Sequence, residues 1–325
     1  MNKVYIKELL KNKKNLISKA NILCIGDIIL DHYIHGTVSR FSPEAPIPIL
    51  LKEKETYQLG GVGNVAKNIS SIGGKVTLVY ISSFDYLSKI TSNLILQESN
   101  IKKIDIKIPK FKIPLKIRFK HNSVHLLRVD DEFSSFKLSN NIKKFIVNKI
   151  EMQIKKCDLV ILSDYSKGLL DKDIIQKVIR LSKKYNKKVI ADPKKNDFSA
   201  YIDIDLITPN QKEITDVAKK KSLNEKNLIN FGKKIIKKYN IKDLLITRSE
   251  KGMLLINKKL VKKFKANLID ARDVTGAGDT VIGVLALMLA VGFDKIDAIS
   301  ISNYAASLVV KKDGTETINY EDLIK

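Results

Sequence analysis

The stretch CDLVILSD, residues 157–164, decides the fold class of this chain together with KKVIADP at 187–193. Both stretches are short, apolar and rich in β-branched residues, and a helical pattern at about 171–185 lies between them. Two buried strands joined by a helix form a βαβ unit, in which the strands run parallel. We therefore expect a parallel sheet with helices packed on both of its faces.

The same alternation continues on both sides of this unit. Upstream, NILCIGD at 21–27 predicts a strand, and it is followed by a predicted helix at 61–74 and a strand at 75–82. Downstream, strands are predicted at 205–210 and 243–249, and helices at about 225–239, 277–291 and 295–310. The whole chain is thus predicted to be one doubly wound α/β domain.

Two segments, at about 34–59 and 112–131, depart from this alternation. They alternate apolar and charged side chains with period two, as in IPILLKEKETYQL and VHLLRVDDE, which predicts half-exposed antiparallel strands. We expect a small antiparallel sheet that projects from the main layer and acts as a lid over a ligand or pairs with a second copy. Because no linker or repeat separates these segments from the rest, residues 1–325 are expected to form a single domain with the lid as a two-part insertion.

Composition restricts the class of partner. The chain has 325 residues, of which 44% are hydrophobic, and a formal net charge of +24. The lysines are spread along the chain beside many Ile and Asn residues, and no stripe combines arginines with aromatic side chains. We therefore expect no dedicated nucleic-acid surface. A nucleic-acid-binding or regulatory protein that uses the basic surface remains the alternative from a different functional class.

The sequence also indicates a compartment. Cys24 and Cys157 each lie in an apolar run, which is typical of reduced core cysteines. Residues 1–20 are rich in lysine but lack the continuous apolar core of a signal peptide. The longest apolar run, Val281 to Val291, is shorter than the roughly 20 residues that cross a bilayer. We expect a cytoplasmic protein that makes no membrane contact.

The stretch DVTGAGDTVIG, residues 273–283, carries the strongest sign of chemistry. No Gly-Lys-Ser/Thr follows its glycines, and it lies too late in the chain for a dinucleotide fingerprint. Free N–H groups at a helix start, made accessible by glycine, can bind an anion, and Asp279 in the first turn can accept a proton from a hydroxyl. The alternative is a tight turn in which Asp279 is a capping acid. A second acid, Asp273, favours the functional interpretation.

Polar residues recur at the carboxyl ends of other predicted strands, which is where open α/β sheets bind ligands. Asn64 follows the glycine-rich LGGVGN at 59–64 and could bind a sugar hydroxyl. The TPNQKE stretch carries Asn210 and Glu213, oxygen ligands suited to Mg²⁺ and its waters. The remaining strand-end residues are Asp27 and Asp31 in GDIILD, and Thr247, Ser249 and Gly252 in TRSEKG.

Together these residues resemble the ribokinase-like (PfkB) family of carbohydrate kinases, whose signature D-x-T-G-A-G-D matches Asp273 to Asp279. The resemblance covers residues from about 20 to 318 and implies a three-layer, doubly wound, mostly parallel sheet with a β lid. It is closer to one branch, the D-glycero-β-D-manno-heptose 7-phosphate kinases, including the kinase half of the bifunctional heptose enzyme. The stretches that carry the branch resemblance are GDIILDHYIHGTVSRFSPEAPIPIL, LSDYSKGLL, ADPK, TPNQKE, LLITRSEKGM and DVTGAGDTVIGVLA.

The resemblance implies a role for each motif residue. Asp279 would be the catalytic base, and the N–H groups of Gly276, Ala277 and Gly278 would form the anion hole. Asn210 and Glu213 would organise Mg²⁺, and Asp273 would suit a monovalent cation. The implied substrate contacts are Asp27, Asp31, Gly60, Gly61, Asn64 and Asp279, with Arg118 and Lys194 on phosphate. The implied ATP contacts are Asn210, Thr247, Ser249, Gly252, Gly276, Gly278 and Asn303.

The resemblance further implies ATP-dependent phosphorylation of O1 of heptose 7-phosphate to the 1,7-bisphosphate, a step toward ADP-heptose and lipopolysaccharide precursors. It also implies a homodimer formed through the lid. We expect no nucleotidyltransferase domain after residue 325 and therefore a separate adenylyltransferase downstream. The chain departs from the branch pattern at GGVGN (60–64), at Leu115, and at Ser123, Val124 and His125. These departures keep a kinase for another sugar or sugar phosphate as the alternative.

Overall fold

The computed structural model describes residues 3–122, 124–132, 136–194, 197–267, 273–312 and 314–325, so Ser123 lies outside the described residues. In chain order the strands are β1 (Asn21–Gly26), β2 (Ile28–Phe41), β3 (Pro48–Gly61), β4 (Lys75–Ser82), β5 (Ile101–Lys107), β6 (Leu115–His121), β7 (Val124–Asp131), β8 (Leu159–Asp164), β9 (Lys188–Pro193), β10 (Leu206–Ile207), β11 (Asp243–Thr247), β12 (Met253–Asn257) and β13 (Val261–Phe264). The α-helices are α1 (Lys3–Leu10), α2 (Lys14–Ile17), α3 (Val62–Ser71), α4 (Tyr86–Leu96), α5 (Asn140–Ile154), α6 (Lys172–Lys184), α7 (Gln211–Val217), α8 (Glu225–Tyr239), α9 (Ala277–Val291), α10 (Lys295–Val309) and α11 (Tyr320–Ile324).

A nine-stranded sheet forms the centre of the molecule, in the order β13-β12-β11-β10-β9-β8-β1-β4-β5. All neighbours from β11 to β5 pair in parallel. At the other edge, β12 and β13 pair antiparallel because they continue β11 as successive hairpins. The predicted mostly parallel sheet is therefore confirmed.

Helices cover both faces of this sheet. Every residue of β8 is buried, which requires cover on each side. One helical group contains α3, α9 and α10, and another contains α5 and α6, which pack against each other. Helix α9 is buried continuously from Asp279 to Met288, as expected for a helix that is apolar on all sides. Within the described ranges, no helix has both the length and the apolar character that a bilayer crossing requires.

The strand order reverses at β1, and this reversal positions the site. The chain passes from β1 to β4 on one side and later adds β8 on the other side. The carboxyl ends of β1 and β8 therefore diverge into different loops at one edge of the sheet, which leaves a crevice for ligands. Asp27 follows β1, and Tyr165 follows β8.

The lid is a separate four-stranded sheet in the order β3-β2-β6-β7. Its predicted antiparallel character is wrong for one pair, because β2 and β6 run parallel, with Tyr33 opposite Arg118. Both strands leave the main domain in the same direction, since the chain returns to the main sheet for β4, α4 and β5 before β6 begins. The lid also begins earlier than predicted, at Ile28, directly after β1.

Candidate active site

Asp279 lies in the first turn of α9 and is held by two other segments of the chain. Its carboxylate is buried. Oδ2 accepts a hydrogen bond of 2.9 Å from Asn64 Nδ2, on α3, and Oδ1 accepts one of 2.7 Å from the Tyr165 hydroxyl, after β8. Two donors on a carboxylate fix its orientation, which is a requirement for a general base.

The glycines around Asp279 leave the N-terminal end of α9 open. Gly276 has φ 78°, and no side chain caps the helix there. A Cβ on Gly276 would lie 2.6 Å from Asn64 Nδ2, whereas a Cβ on Gly278 would have no atom within 4 Å. Gly276 therefore allows Asn64 to reach Asp279, and Gly278 leaves space at a helix N-terminus, where an anion is favoured. The Ala277 N–H, predicted for the anion hole, donates to the Val274 carbonyl at 3.3 Å.

Burial raises the pKa of Asp279 to about 6. The hydrogen bonds from Tyr165 and Asn64 lower it, nearby Asp192 raises it, and Lys194 lowers it. Burial disfavours the charged form, and donors to the carboxylate favour it. A base with a pKa near 6 is ionised at neutral pH and still holds a proton better than an ordinary aspartate, which suits proton abstraction.

We expect kcat/KM to fall as the pH drops through about 6, because Asp279 must be deprotonated to accept a proton. Tyr165→Phe removes a hydrogen bond that lowers the pKa of Asp279, so the acid limb should move to higher pH. The ratio of kcat/KM at pH 8 to that at pH 6 should rise roughly threefold to tenfold. Initial-rate pH profiles measure this ratio.

Tyr201→Phe is the matched control, because the buried Tyr201 hydroxyl donates to Asp164 and has no bond to Asp279. Its acid limb should coincide with that of the wild type. The carboxyl of Asp27 also has a pKa raised by burial, to about 6, but Tyr165 bonds to it through its backbone N–H, which the substitution retains. If the acid limb of the kcat/KM pH profile does not move in Tyr165→Phe, then Asp279 does not govern that profile.

Asp27 is committed to backbone groups. Its carboxylate accepts N–H bonds from Tyr165 at 3.1 Å, Lys167 at 2.9 Å and Leu169 at 3.0 Å. These bonds tie the loop after β8 to the end of β1, across the reversal in strand order. These bonds let Asp27 place Tyr165, and its predicted contact with the sugar stays a prediction.

Asp31 and Arg118 form an ion pair on the lid, and both side chains are buried. Gly60 makes room for this pair, since a Cβ there would lie 2.5 Å from Asp31 Oδ2. Gly61 has φ 58° and precedes α3, and a Cβ on it would collide with the Asp27 carbonyl. The two glycines therefore shape the walls of the site without offering side chains to a ligand.

Lys194 lies where two acids converge. Its Nζ is 3.0 Å from Asp192 and 3.0 Å from Glu213, and it is 5.6 Å from the Tyr165 ring centroid. The two carboxylates raise the pKa of Lys194 despite burial, and burial raises that of Glu213. Lys194 thus lies between the Tyr165 ring, whose hydroxyl bonds to Asp279, and the carboxylates of Asp192 and Glu213.

Asn210 and Glu213, the predicted Mg²⁺ residues, form a capping box at the start of α7, in which each side chain accepts the other's backbone N–H. Asp192 is buried, and its Oδ2 is paired with Lys194 Nζ at 3.0 Å. Two carboxylates that face one cationic position provide the oxygen donors that Mg²⁺ prefers. The carboxylates of Asp192 and Glu213 therefore fit a magnesium ion and would hold it, and the predicted Mg²⁺ role of Asn210 stays a prediction.

The predicted nucleotide residues lie at the carboxyl end of β11. Thr247 and Ser249 line a cavity of about 620 Å³ with Asn210. A second cavity, of about 440 Å³, adjoins it and is lined by Arg248, Phe264 and Lys265 among others. Asn303 donates to the Lys265 carbonyl at 2.8 Å, and Gly252 makes a turn with φ 75° against the backbone of Phe264. These positions form one continuous surface that begins at the capping box.

Asp273 supports the loop before α9. Its two oxygens accept N–H bonds from Thr275 at 2.9 Å and Gly314 at 3.0 Å, and these bonds lower its pKa. The monovalent-cation role stays a prediction. Within the described ranges, no group of three or more His, Cys, Asp or Glu residues could hold a metal by itself.

Sequence reasoning missed Tyr165 and Asp192 as site residues. Each lies within a stretch that pointed to the site, LSDYSKGLL and ADPK, at the carboxyl end of a predicted strand. The available signal was this position in the fold, because ligands collect at such strand ends. A tyrosine after a strand has many other roles, and only the fold brings its hydroxyl to Asp279.

Comparison with known proteins agrees with this geometry. A model of the pfkB family of carbohydrate kinases matches residues 120–322. Solved structures with the same fold include phosphofructokinase-2 from Escherichia coli (TM-score 0.75, 16% identity, 94% of this chain and 97% of that one) and Arabidopsis thaliana ribokinase complexed with ribose and ATP (TM-score 0.71, 16% identity, 94% and 99%).

The family match identifies a phosphotransferase with an alcohol group as acceptor, and the mostly parallel sheet with its lid agrees with it. The chain belongs to the pfkB carbohydrate kinase family. Curated relatives include the bifunctional protein HldE of Nitrobacter winogradskyi, 35% identical over 95% of this chain, and that of Granulibacter bethesdensis, 36% identical over 94%. The chain spans 64% of the length of each of these two relatives.

Proposed function

We propose that the protein transfers the γ-phosphoryl group of ATP to O1 of D-glycero-β-D-manno-heptose 7-phosphate, giving the 1,7-bisphosphate. One observation carries the chemistry: the buried carboxylate of Asp279, held by Asn64 and Tyr165 at the open start of α9. The choice of acceptor is supported by the resemblance to the heptose kinases and by the similarity to bifunctional HldE proteins.

In the proposed reaction, Asp279 accepts the proton of the attacking hydroxyl as its oxygen bonds to the γ-phosphorus. The bond from that phosphorus to the bridging oxygen of the β-phosphate breaks, and ADP leaves with the electron pair. Backbone N–H groups at the start of α9 face the negative charge of the phosphoryl group. Positioning and charge neutralisation supply most of the acceleration in phosphoryl transfer.

Mg²⁺, when bound, neutralises charge on the β- and γ-phosphates. Asp192 and Glu213 would hold it, through water in the case of Glu213, whose Oε2 stays in the capping box. Lys194 already lies between these acids, so it is placed to contact the same phosphates. ATP would extend from this point along Asn210, Thr247 and Ser249 into the adjoining cavity.

The lid offers a surface for the proposed homodimer. On its outer face, Leu127 and Val129 of β7 are 57% and 42% exposed, and they lie beside Phe119 and Ile117 of β6. Exposed apolar side chains grouped on one sheet face are typical of an association surface.

A panel of acceptors tests the proposed function. With ATP and Mg²⁺, kcat/KM for the heptose 7-phosphate should exceed that for fructose 6-phosphate, ribose and the unphosphorylated heptose by about a hundredfold or more, because site groups left unpaired by a wrong acceptor cost binding free energy. ADP release, measured by a coupled assay, gives the rates. A clear preference for another sugar or sugar phosphate would establish the alternative acceptor and retain the same chemistry.

A further inference from the structure

The lid touches the main domain at the C-terminal loop, residues 314–319, which precedes α11. Gln58, on β3, accepts two hydrogen bonds at its Oε1 atom from Thr315, one of 3.1 Å from the backbone N–H and one of 2.7 Å from the hydroxyl. Because a backbone N–H can only donate, the oxygen of the Gln58 amide must face Thr315. Thr315 is 2% exposed, so water does not compete for these two bonds.

Gly314, which precedes Thr315, bonds to the loop before α9. Its N–H donates to Asp273 Oδ2 at 3.0 Å, and Asp273 Oδ1 accepts the Thr275 N–H at 2.9 Å. Thr275 lies in the segment that leads directly into the open start of α9. Two adjacent residues of the C-terminal loop therefore connect a lid strand to the segment that begins α9.

Gly314 is required for this close approach. Its φ is 74°, and a Cβ there would lie 3.1 Å from Gln58 Oε1 and 3.2 Å from the Tyr33 hydroxyl. A residue with a side chain would be strained at this φ and would push against both lid strands. The C-terminal loop thus packs directly on β2 and β3, and the contact extends beyond one hydrogen-bonded pair.

The C-terminal loop is also anchored to the main domain on its other side. Ser71, at the end of α3, donates its hydroxyl to the Ile318 carbonyl at 2.7 Å, and Ile318 is itself buried in the core. Because the loop is held on both sides of Thr315, a displacement of Thr315 by the lid is expected to reach Gly314 and the bond that it makes.

A second lid strand approaches the same acid. His125 Nε2, on β7, lies 4.0 Å from Asp273 Oδ2. Burial raises the pKa of Asp273, but the N–H bonds from Thr275 and Gly314 and the charge of Lys120, on β6, lower it overall. Asp273 therefore lies where the lid meets the loop that leads into α9.

We propose that Gln58 and Thr315 are positioning residues that couple the seating of the lid to the geometry at the start of α9, with Gly314 and Asp273 as the link. With the lid in place, the C-terminal loop supports Asp273, and Asp273 fixes the segment that carries the proposed base, Asp279. When the lid opens to admit or release a sugar, the two bonds to Thr315 break and this support is lost.

This coupling makes phosphoryl transfer depend on the lid. The start of α9 has its full support only while the lid covers the acceptor, and preorganised groups stabilise the transferring charge best. The proposal rests on phosphoryl transfer at the start of α9, as in the proposed function, and is independent of which sugar is the acceptor.

Amide hydrogen exchange tests the coupling without any sugar. Gln58→Met has a side chain of nearly the same length but removes the acceptor of both bonds, so the Thr315 N–H should exchange faster for that local reason alone. The coupling predicts in addition that the amides of Thr275 and Gly314, which donate to Asp273, exchange about tenfold faster than in the wild type. Residue-resolved exchange, measured by NMR, gives each rate.

Thr91→Val is the matched control, because it removes a buried hydroxyl of α4 that has no hydrogen-bond partner among the described residues. Exchange at Thr275 and Gly314 should keep its wild-type rate in this variant. If Gln58→Met accelerates exchange at Thr315 alone, the contact supports the lid locally and the coupling is wrong.

Kinetics with the preferred sugar of the acceptor panel measure the consequence for the reaction. Gln58→Met should lower kcat about tenfold, since a misplaced group slows transfer, while the KM for ATP stays the same because the nucleotide surface lies at the end of β11. Thr315→Val, which keeps the N–H bond, should lower kcat about threefold, and Thr315→Ser, which keeps both donors, should retain it. Wild-type kcat in folded Gln58→Met would overturn the positioning role.

The outcomes separate this proposal from the proposed function. If the wild type turns over no sugar in the panel, the proposed function is wrong, whereas the exchange rates still decide the coupling. If Gln58→Met does not fold, the two Thr315 variants decide the positioning role, and equal kcat in Thr315→Val and Thr315→Ser would contradict it.

Discussion

Asp279→Asn is expected to lower kcat by about a thousandfold or more, with little change in folding or in ATP binding. The amide has nearly the same shape as the carboxylate, so it fits between Asn64 and Tyr165. It cannot accept a proton from the attacking hydroxyl, and general-base catalysis contributes about 10²- to 10⁴-fold. Single-turnover phosphoryl transfer to the preferred acceptor measures the loss, and nucleotide titration checks ATP binding.

Asp294→Asn is the matched control for this substitution. Asp294 caps α10 by accepting the N–H groups of Ile296 and Asp297, so it represents an acid whose task is confined to a helix start. Its replacement should cost at most about 1 kcal/mol of stability and leave kcat unchanged. If Asp279→Asn behaved in the same way, Asp279 would be a capping acid and the proposed base would be wrong.

Gly276→Ala is expected to lower kcat/KM by about a hundredfold and to destabilise the protein by about 1–2 kcal/mol. An alanine at φ 78° is strained. Its Cβ would also lie 2.6 Å from Asn64 Nδ2 and displace a donor to Asp279. Loss of one preorganised group at a charged centre commonly costs two to three powers of ten. Steady-state kinetics and thermal denaturation give the two effects separately.

Gly278→Ala tests access to the start of α9 without the backbone strain that Gly276→Ala introduces. The residue is helical, and a Cβ there meets no atom within 4 Å, so the alanine should be tolerated and stabilise α9 by up to about 1 kcal/mol. The same methyl group would occupy the space in which we place the transferring phosphoryl group. We expect a more stable and slower enzyme, and wild-type activity in Gly278→Ala would contradict the proposed position of the phosphoryl group.

The sequence predicted the fold well because its strands obey local rules. The centres of CDLVILSD and KKVIADP are apolar, as strands buried on both faces must be, and both stretches contain strands of the central sheet. The lid strands alternate with period two, which predicts a half-exposed sheet but not the direction of its neighbours. The parallel pairing of β2 with β6 depends on the route of the chain between them, and no local pattern records that route.

Helices α4 and α5 were not predicted, and their sequences explain why. The stretch at 86–96 mixes β-branched and polar residues, and the one at 140–154 is rich in lysine and asparagine on its exposed side. Their helical state comes from packing against the sheet and from the N-cap residues Asp85 and Ser139.

The site was predictable as a set of strand ends but not as a set of contacts. Asp279 and its glycines follow from a motif, whereas the hydrogen bonds of Tyr165 to Asp279 and of Asp27 to the loop after β8 join residues more than a hundred positions apart. Asp27 was assigned to the sugar from the family resemblance, and that contact stays a prediction. Its orientation toward three backbone N–H groups depends on the reversal of strand order at β1.

The long sequence separation of the groups around Asp279 has a consequence for synthesis on the ribosome. Asn64 and Tyr165 precede Asp279 by 215 and 114 positions. The described strands of the lid and of the central sheet all precede residue 279, so a nascent chain contains them before the proposed base has been made. A chain that ends before residue 279 lacks this carboxylate, so the proposed base is in place only when α9 packs against α3 and α10.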